Sequence, residues 1–368
     1  MAINTKLTTI ENSCLDIRDA IKESQRNLAE GSITTLGNDI RTLNNNNYVY
    51  KWVENNGTYS LERDLNNGTS IAQNGYIGKN NIISVILPSN ITTLGRYAFQ
   101  RCYKLQYINL ENITTIGQSC FALESGTLSN SNQYDLCVDL NIPKLNSLGG
   151  GAFANTKITK IINLGNITSL EVAGGGIGPF TRCLFLQTAN LPNTLTTIGQ
   201  YSFKDCPLLT TITVEGTQNF SVGQWAFRYD TKLTTFPFER VTYVGGYAFS
   251  ECNSLPETIN LDNCTSIGGV YAIGNNTSIK TIILSDKITN INSRGFQNCS
   301  KLQTFVCKAT TPPTLGSTNA FDQCSSLTNI YLPYSSDHSV LEAYQTASVW
   351  TSFASKMAEL NVDGSIPT

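Results

Sequence analysis

Apolar residues recur along most of the chain with a spacing that fits neither a long helix nor a long strand. Residues 91–110 read ITTLGRYAFQRCYKLQYINL, and residues 195–214 read LTTIGQYSFKDCPLLTTITV. The common unit is I-x-x-I-G-x-x-A-F-x-x-C-x-x-L-x-x-I-x-L. Its L-x-x-I-x-L part predicts a short strand with alternate residues inward, and its glycine predicts a tight turn. The pattern therefore predicts a coil built from short pieces.

Alignment on the aromatic residue before the cysteine slot gives about ten units of roughly 23 residues over residues 82–333. The aligned positions are Phe99, Phe121, Phe153, Phe180, Phe203, Phe227, Phe249, Ile273, Phe296 and Phe321. A single unit cannot bury its apolar side alone, so neighbouring units must stack. The sequence predicts a solenoid of short parallel strands joined by turns, with the aromatic column in its core.

The C-terminal and central flanks of the array have other patterns. Residues 334–368 predict a helical cap and tail, because Leu341, Tyr344 and Ala347 share one helical face and are followed by Trp350, Phe353 and Met357. Residues 44–81 predict a linker and a small β module. In that module YVYKWV at 48–53 and TYSLERDL at 58–65 would form strands around a turn.

Residues 1–43 predict a helical attachment or oligomerisation segment. Its apolar residues step by four and three, with Ser24 in the same series: Ile3, Leu7, Ile10, Cys14, Ile17, Ile21 and Leu28. A heptad seam of this kind pairs helices. The alternative is a single amphipathic helix that lies on its own domain, since isolated coiled coils this short are marginal.

Charge and hydropathy narrow the classes of partner. The chain carries 25 basic and 27 acidic residues, a net charge of −2, and no basic run. Nucleic-acid binding needs a basic footprint, so no nucleic-acid partner is predicted. No apolar run approaches the ~20 residues that cross a bilayer, so no membrane insertion is predicted. The start of the sequence lacks a secretory signal pattern, which predicts assembly in the cytosol.

The residue types give little support for a catalytic site or a metal site. The single histidine, His338, lies in YSSDHS without a nucleophile motif and predicts a surface loop. Six of the 11 cysteines occupy the repeat slot: Cys102, Cys183, Cys206, Cys252, Cys299 and Cys324. Thr156 and Asp230 replace them in other units, which favours packing of reduced thiols over disulfides, a metal site or a reactive thiol. We predict no catalytic residue, no metal site and no cofactor.

The recurring A-F-x-x-C-x-x-L-x-x-I-x-L block resembles the BspA-like leucine-rich repeat family, and the resemblance covers residues 82–333. It implies a leucine-rich repeat solenoid that serves in surface adhesion and in protein or glycan binding rather than in catalysis. The N-terminal MAINTKLTTIENSCLDIRDAIKES, followed by ITTLGNDIRTL, resembles the start of tail-associated proteins in phages of gut bacteria.

Together these resemblances lead to two hypotheses for the function. The first is a non-enzymatic virion component: a tail fibre, tip or decoration protein. Its repeats would bind a host-surface protein or glycan, and its N-terminal helix would bind other virion proteins or sister chains. The alternative is a bacterial cell-surface or secreted BspA-like adhesin whose leader is missing from this sequence.

The outward strand residues of a solenoid form an extended surface, and the predicted ligand-binding residues lie on its concave face. They are Tyr107, Asn109, Thr211, Thr213, Thr281, Thr304, Asn329 and Tyr331. A neutral face rich in threonine and asparagine, with tyrosine near both ends, suits hydrogen bonds and ring stacking. The competing explanation is that threonine simply favours strands.

Overall fold

The computed structural model describes residues 48–56, 58–122, 136, 139–171 and 176–367. The helical seam predicted within residues 1–43 lies outside them. The described chain begins with an antiparallel hairpin of β1 (Tyr48–Asn55) and β2 (Thr58–Leu65). The first hairpin strand also pairs antiparallel with β4 (Ile82–Ile86), so the hairpin covers the first edge of the array.

Most coils of the array contribute one strand to a row of parallel strands that we call the major ladder. Its strands after β4 are β6 (Tyr107–Ile108), β8 (Leu140–Asn141), β10 (Lys160–Asn163), β11 (Thr188–Leu191), β13 (Thr211–Val214), β16 (Thr258–Leu261), β18 (Thr281–Leu284), β20 (Thr304–Cys307), β22 (Asn329–Leu332) and β23 (Met357–Glu359). They form three sheets in the orders β2-β1-β4-β6, β13-β11-β10-β8 and β16-β18-β20-β22-β23.

A second row of shorter parallel strands, the minor ladder, comes from the T-x-I-G part of the unit. Its strands are β3 (Ser70–Ile71), β5 (Thr93–Leu94), β7 (Thr115–Ile116), β9 (Ser147–Leu148), β12 (Thr197–Ile198), β14 (Phe220–Val222), β15 (Val241–Val244), β17 (Ser266–Ile267), β19 (Asn290–Ile291) and β21 (Thr314–Leu315). The predicted solenoid of short parallel strands is therefore confirmed.

The aromatic column lies between the two ladders. Consecutive phenylalanine rings are stacked with centroids 5.1 to 5.8 Å apart, and Ile273 continues the column between Phe249 and Phe296 as a fully buried residue. Tyr76 stacks on Phe99 at 5.2 Å. Because a tyrosine stands in the phenylalanine slot and no A-F motif marks it, the repeat pattern misses this first coil, which lies before residue 82.

The major ladder is interrupted once within the C-terminal half of the array. Between β13 and β16 the only pairing among the described residues is an isolated bridge from Thr211 to Thr235. A 3-10 turn at Phe238–Arg240 takes the place of a strand. The Phe236 ring packs edge-on against Phe249 there, at a centroid distance of 5.0 Å, so the core stays filled while the strand pairing is lost.

The predicted C-terminal helical cap is confirmed, although its last predicted residue, Met357, lies in a strand. Helix α1 (Ser339–Thr346) is followed by a 3-10 helix at Trp350–Lys356. Met357 instead begins strand β23, which pairs parallel to β22 and extends the major ladder. The buried Tyr344 and Trp350 donate hydrogen bonds to the carbonyls of Ala309 (2.9 Å) and Pro313 (2.8 Å), and they anchor the cap on the last coil. None of the described helices is long and apolar enough to cross a membrane.

Candidate ligand-binding face

The outward residues at the start of each major-ladder strand form one row, here named the threonine row. It runs through Thr188, Thr211 and Thr235, is interrupted with the ladder, and resumes through Thr258, Thr281, Thr304 and Asn329. Neighbouring members lie one strand spacing apart, ~4.8 Å. The array thus presents the same hydroxyl group coil after coil.

Most predicted ligand-binding residues lie on this face. Thr211, Thr281, Thr304 and Asn329 belong to the threonine row and are partly exposed. Thr213 and Tyr331 point outward from the same strands, two residues further along, with Thr213 exposed and Tyr331 partly exposed.

The two predicted tyrosines are not brought together. Tyr107 lies on β6, in the first sheet, where it pairs with Ser84, and Tyr331 lies on β22, in the last. Sequence reasoning missed Thr188, Thr235 and Thr258, although each precedes an apolar strand position as Thr211 does. The repeat spacing does not mark Thr258, because one extra residue lies between the buried Leu255 and the strand.

Asn109 does not point into solvent as predicted. Its side chain is buried, its Oδ1 accepts the main-chain N–H of Leu87 at 2.6 Å, and its Nδ2 donates to the Leu87 carbonyl at 3.0 Å. The reason is that β6 ends at Ile108, so the amide replaces the main-chain pairing that a longer strand would make.

Two structural classes recur among the threonines that the structure describes. In the first class the hydroxyl donates to a main-chain carbonyl of the preceding coil, as in Thr92, Thr114, Thr196, Thr210, Thr234, Thr242, Thr265 and Thr289. In the second class, within the part of the chain that the structure describes, the hydroxyls of Thr281 and Thr304 have no protein partner. The hydroxyls of Thr281 and Thr304 are therefore free to bind a ligand, whereas the Thr211 hydroxyl of the same row lies 3.3 Å from that of Thr210.

Charged groups beside the C-terminal part of the threonine row are paired with each other. Lys280, just before β18, lies 2.7 Å from Glu257, and Lys308, just after β20, lies 2.6 Å from Asp262. These exposed ion pairs contribute little stability. They leave the row between them electrically neutral, so a ligand would be held by hydrogen bonds rather than by charge.

The repeat-slot cysteines have a packing role. All nine described cysteines are free and buried. Burial raises the pKa of the Cys102, Cys183 and Cys299 thiols to about 12 and that of Cys324 to about 11. These thiols stay protonated at neutral pH, and only the thiolate is a nucleophile or metal ligand. No group of three or more metal-ligating side chains occurs among the described residues.

His338 lies on the surface, as predicted. Its Nδ1 is 2.7 Å from Oε2 of Glu359, and its side chain is 69% exposed. The Ser335 hydroxyl donates to the other oxygen of Glu359 at 3.3 Å, so the hydroxyl and the imidazole both contact this carboxylate.

A solenoid with two parallel ladders and a phenylalanine column between them defines a leucine-rich repeat scaffold. The model of the BspA type leucine-rich repeat region matches six copies in the sequence, over residues 46–174, 176–272 and 257–353. The chain belongs to this family. No curated protein matches it in sequence.

Solved structures with a similar fold come from several bacteria. A leucine-rich repeat protein from Bacteroides ovatus is 18% identical, with 86% of this chain and 99% of that chain covered and a TM-score of 0.40. One from Eubacterium ventriosum is 18% identical, with 78% of each chain covered and a TM-score of 0.44. The pneumococcal vaccine antigen PcpA is 15% identical, with 86% and 98% covered and a TM-score of 0.42.

Proposed function

We propose that the protein is a non-enzymatic bacterial adhesin, at the cell surface or secreted, that binds a host-surface glycan or protein through its threonine row. Family membership supports a binding scaffold. The observation that carries the proposal is the pair of partner-free hydroxyls on Thr281 and Thr304, which lie on adjacent strands in register. Each hydroxyl can donate one hydrogen bond and accept two, which suits the hydroxyl groups of a sugar or the amides of a peptide.

Tyr331 adds an aromatic surface at the end of this row. It is paired with Val306 on the neighbouring strand, and Val306 lies two residues after Thr304 of the row. A tyrosine ring offers an apolar face and a polar hydroxyl in one side chain. The row and the ring together favour a ligand that is polar along its length and has one apolar face.

The virion hypothesis has a different basis. It rests on the sequence of residues 1–43, which lie outside the described residues, and the family match has no bearing on it. Attachment to a phage particle stays a prediction, and the adhesin is the function that the binding face supports better.

The test is binding of the purified chain to immobilised glycans and to whole host cells. The double variant Thr281→Val and Thr304→Val keeps the side-chain shape and removes both hydroxyls. With roughly 1 kcal/mol lost per hydrogen bond, we expect at least a tenfold weaker affinity. Tyr331→Ala should weaken binding as well.

The matched control is Thr314→Val, which removes an exposed hydroxyl from the minor ladder. It should bind like the unaltered protein. Equal affinity of the double variant and the control would contradict the threonine row as the site. Failure of the unaltered chain to bind either glycans or cells would contradict the adhesin itself.

A further inference from the structure

The side chain in the cysteine slot acts as a hydrogen-bond donor in seven of the described coils. It donates to the carbonyl of the aromatic-column residue one coil earlier, as in Cys102 to Tyr76, Cys183 to Phe153, Cys206 to Phe180, Cys252 to Phe227, Asn276 to Phe249, Cys299 to Ile273 and Cys324 to Phe296. The distances are 2.9 to 3.3 Å. In these seven coils the slot side chain thus supplies a donor to a column carbonyl of the preceding coil, whereas Thr156 donates to the Phe153 carbonyl of its own coil at 2.8 Å.

Asp230 occupies this slot in the coil after Phe203. An ionised carboxylate has no proton and could not donate the hydrogen bond. Its Oδ1 accepts the main-chain N–H of Cys206 at 2.7 Å. Its Oδ2 is buried and has no partner among the described residues. By the rule of the other coils the group opposite is the Phe203 carbonyl, for which the described chain supplies no other donor. Two acceptor oxygens can share this position only if one of them carries a proton.

The surroundings of Asp230 favour that proton. Burial raises the pKa of its carboxyl well above the ordinary range, against the Cys206 N–H, which lowers it. Of the charged neighbours, Asp205 raises the pKa and Lys204 lowers it, and these two pair with each other at 2.6 Å. The adjacent slot thiols of Cys206 and Cys252 are buried and neutral.

The cation in the coil of Asp230 itself, Arg228, is paired with a residue of the following coil. Arg228 lies 3.4 Å from Glu251, and its guanidinium also lies over the rings of Tyr229 and Tyr247. Among the described residues no cation forms an ion pair with Asp230.

We propose that Asp230 is a neutral carboxylic acid that donates a hydrogen bond to the Phe203 carbonyl. Its coil is then a pH-sensitive joint in the array, and its stability is greatest in acid. In the unfolded chain the carboxyl loses its proton near pH 4, whereas the folded chain keeps it. Between these two ionisations the folded state binds more protons, so the stability that is complete below pH 4 falls as the pH rises. Once the folded group also ionises, a buried carboxylate faces a carbonyl and the coil opens.

The place of Asp230 in the array adds to the effect. The strand segment of its coil is the one where the major ladder is interrupted, with a single bridge at Thr235 and a 3-10 turn at Phe238–Arg240. Local opening is easiest where the fewest main-chain hydrogen bonds must break. The ionisation of Asp230 and the interruption of the major ladder thus affect the same coil.

Two measurements test the proposal. Infrared difference spectra of the unaltered chain minus Asp230→Asn should show the C=O band of one protonated carboxylic acid at neutral pH, and the band should vanish in base. Denaturant unfolding from pH 5 to pH 8 should show Asp230→Asn gaining over the unaltered chain by about tenfold in folding equilibrium constant per pH unit while the folded carboxyl stays protonated. Asp205→Asn, next to the joint, is the control and should show no such slope relative to the unaltered chain.

Asp230→Cys restores the side chain of the other coils and serves as a second variant where the asparagine fails to fold. It should show the same gain with pH. A missing protonated-acid band at neutral pH would overturn the proposal. So would parallel pH profiles of the unaltered chain and either Asp230 variant.

Discussion

Gly245 lies against the main chain of the preceding coil, so that a Cβ atom at this position would be only 2.7 Å from the nitrogen of Gln224. The same contact recurs at the repeat glycines, as with Gly117 against Arg96 and Gly316 against Ser293. The atoms concerned belong to the main chain and cannot move aside. These glycines set how closely one coil approaches the next.

We therefore expect Gly245→Ala to lower the free energy of unfolding by about 1–3 kcal/mol, because the added methyl group forces the coils apart. The matched control is Gly295→Ala. Gly295 occupies the alanine position of the unit, and its nearest neighbour is a methyl group of Ile267 at 3.1 Å. Gly295→Ala should change the stability by less than about 1 kcal/mol. Denaturant unfolding followed by circular dichroism compares the two, and equal losses would contradict the coil-contact explanation.

The repeat pattern predicts these glycines and the tight turn that begins at them, as in the 3.2 Å hydrogen bond from the Ala248 N–H to the Gly245 carbonyl, but it misses their contact with the preceding coil. The left-handed conformation within each turn falls two residues after the glycine, so the glycine is not required for it. Those positions are occupied by large side chains with positive φ, among them Tyr97, Tyr201, Trp225, Tyr247 and Tyr271. A contact between coils depends on the position of the neighbouring coil, which the sequence of one unit does not contain.

Asn276 provides a second test of the slot hydrogen bond. Its Nδ2 donates to the Phe249 carbonyl at 2.9 Å, as a thiol does elsewhere, but its Oδ1 is buried without a partner in the described chain. Asn276→Cys keeps a donor and removes the unpaired acceptor. We expect it to raise the free energy of unfolding by about 1–3 kcal/mol.

The reverse change, Cys299→Asn, is the control in the next coil. It should lower the free energy of unfolding by a similar amount, because it introduces a buried acceptor beside the Ile273 carbonyl. Thermal or denaturant unfolding of both variants gives the comparison. If both changes shift stability in the same direction, the slot is governed by side-chain volume and not by hydrogen bonding.

The sequence predicts the aromatic column and the strands well because the same pattern of residues recurs in each repeat. It predicts the binding face less well, since outward positions follow from strand length as much as from spacing. Asn109 shows this, because the two-residue strand β6 turns a predicted outward side chain into a buried bridge to Leu87. The C-terminal strand beginning at Met357 shows the same limit, because its partner Ile330 lies in another coil.

The N-terminal seam within residues 1–43 predicts that the full chain self-associates, because its apolar residues repeat with the heptad spacing that pairs helices. Light scattering of the full chain should give at least twice the mass of one chain, and a chain that starts at Asn44 should be monomeric. Ile10→Asp combined with Ile17→Asp places two charges in the seam and should also give a monomer. Thr9→Asp combined with Asn12→Asp adds the same charges away from the seam and should leave the mass unchanged. A monomeric full chain would contradict self-association and leave attachment to another protein or the alternative, a helix that lies on its own domain.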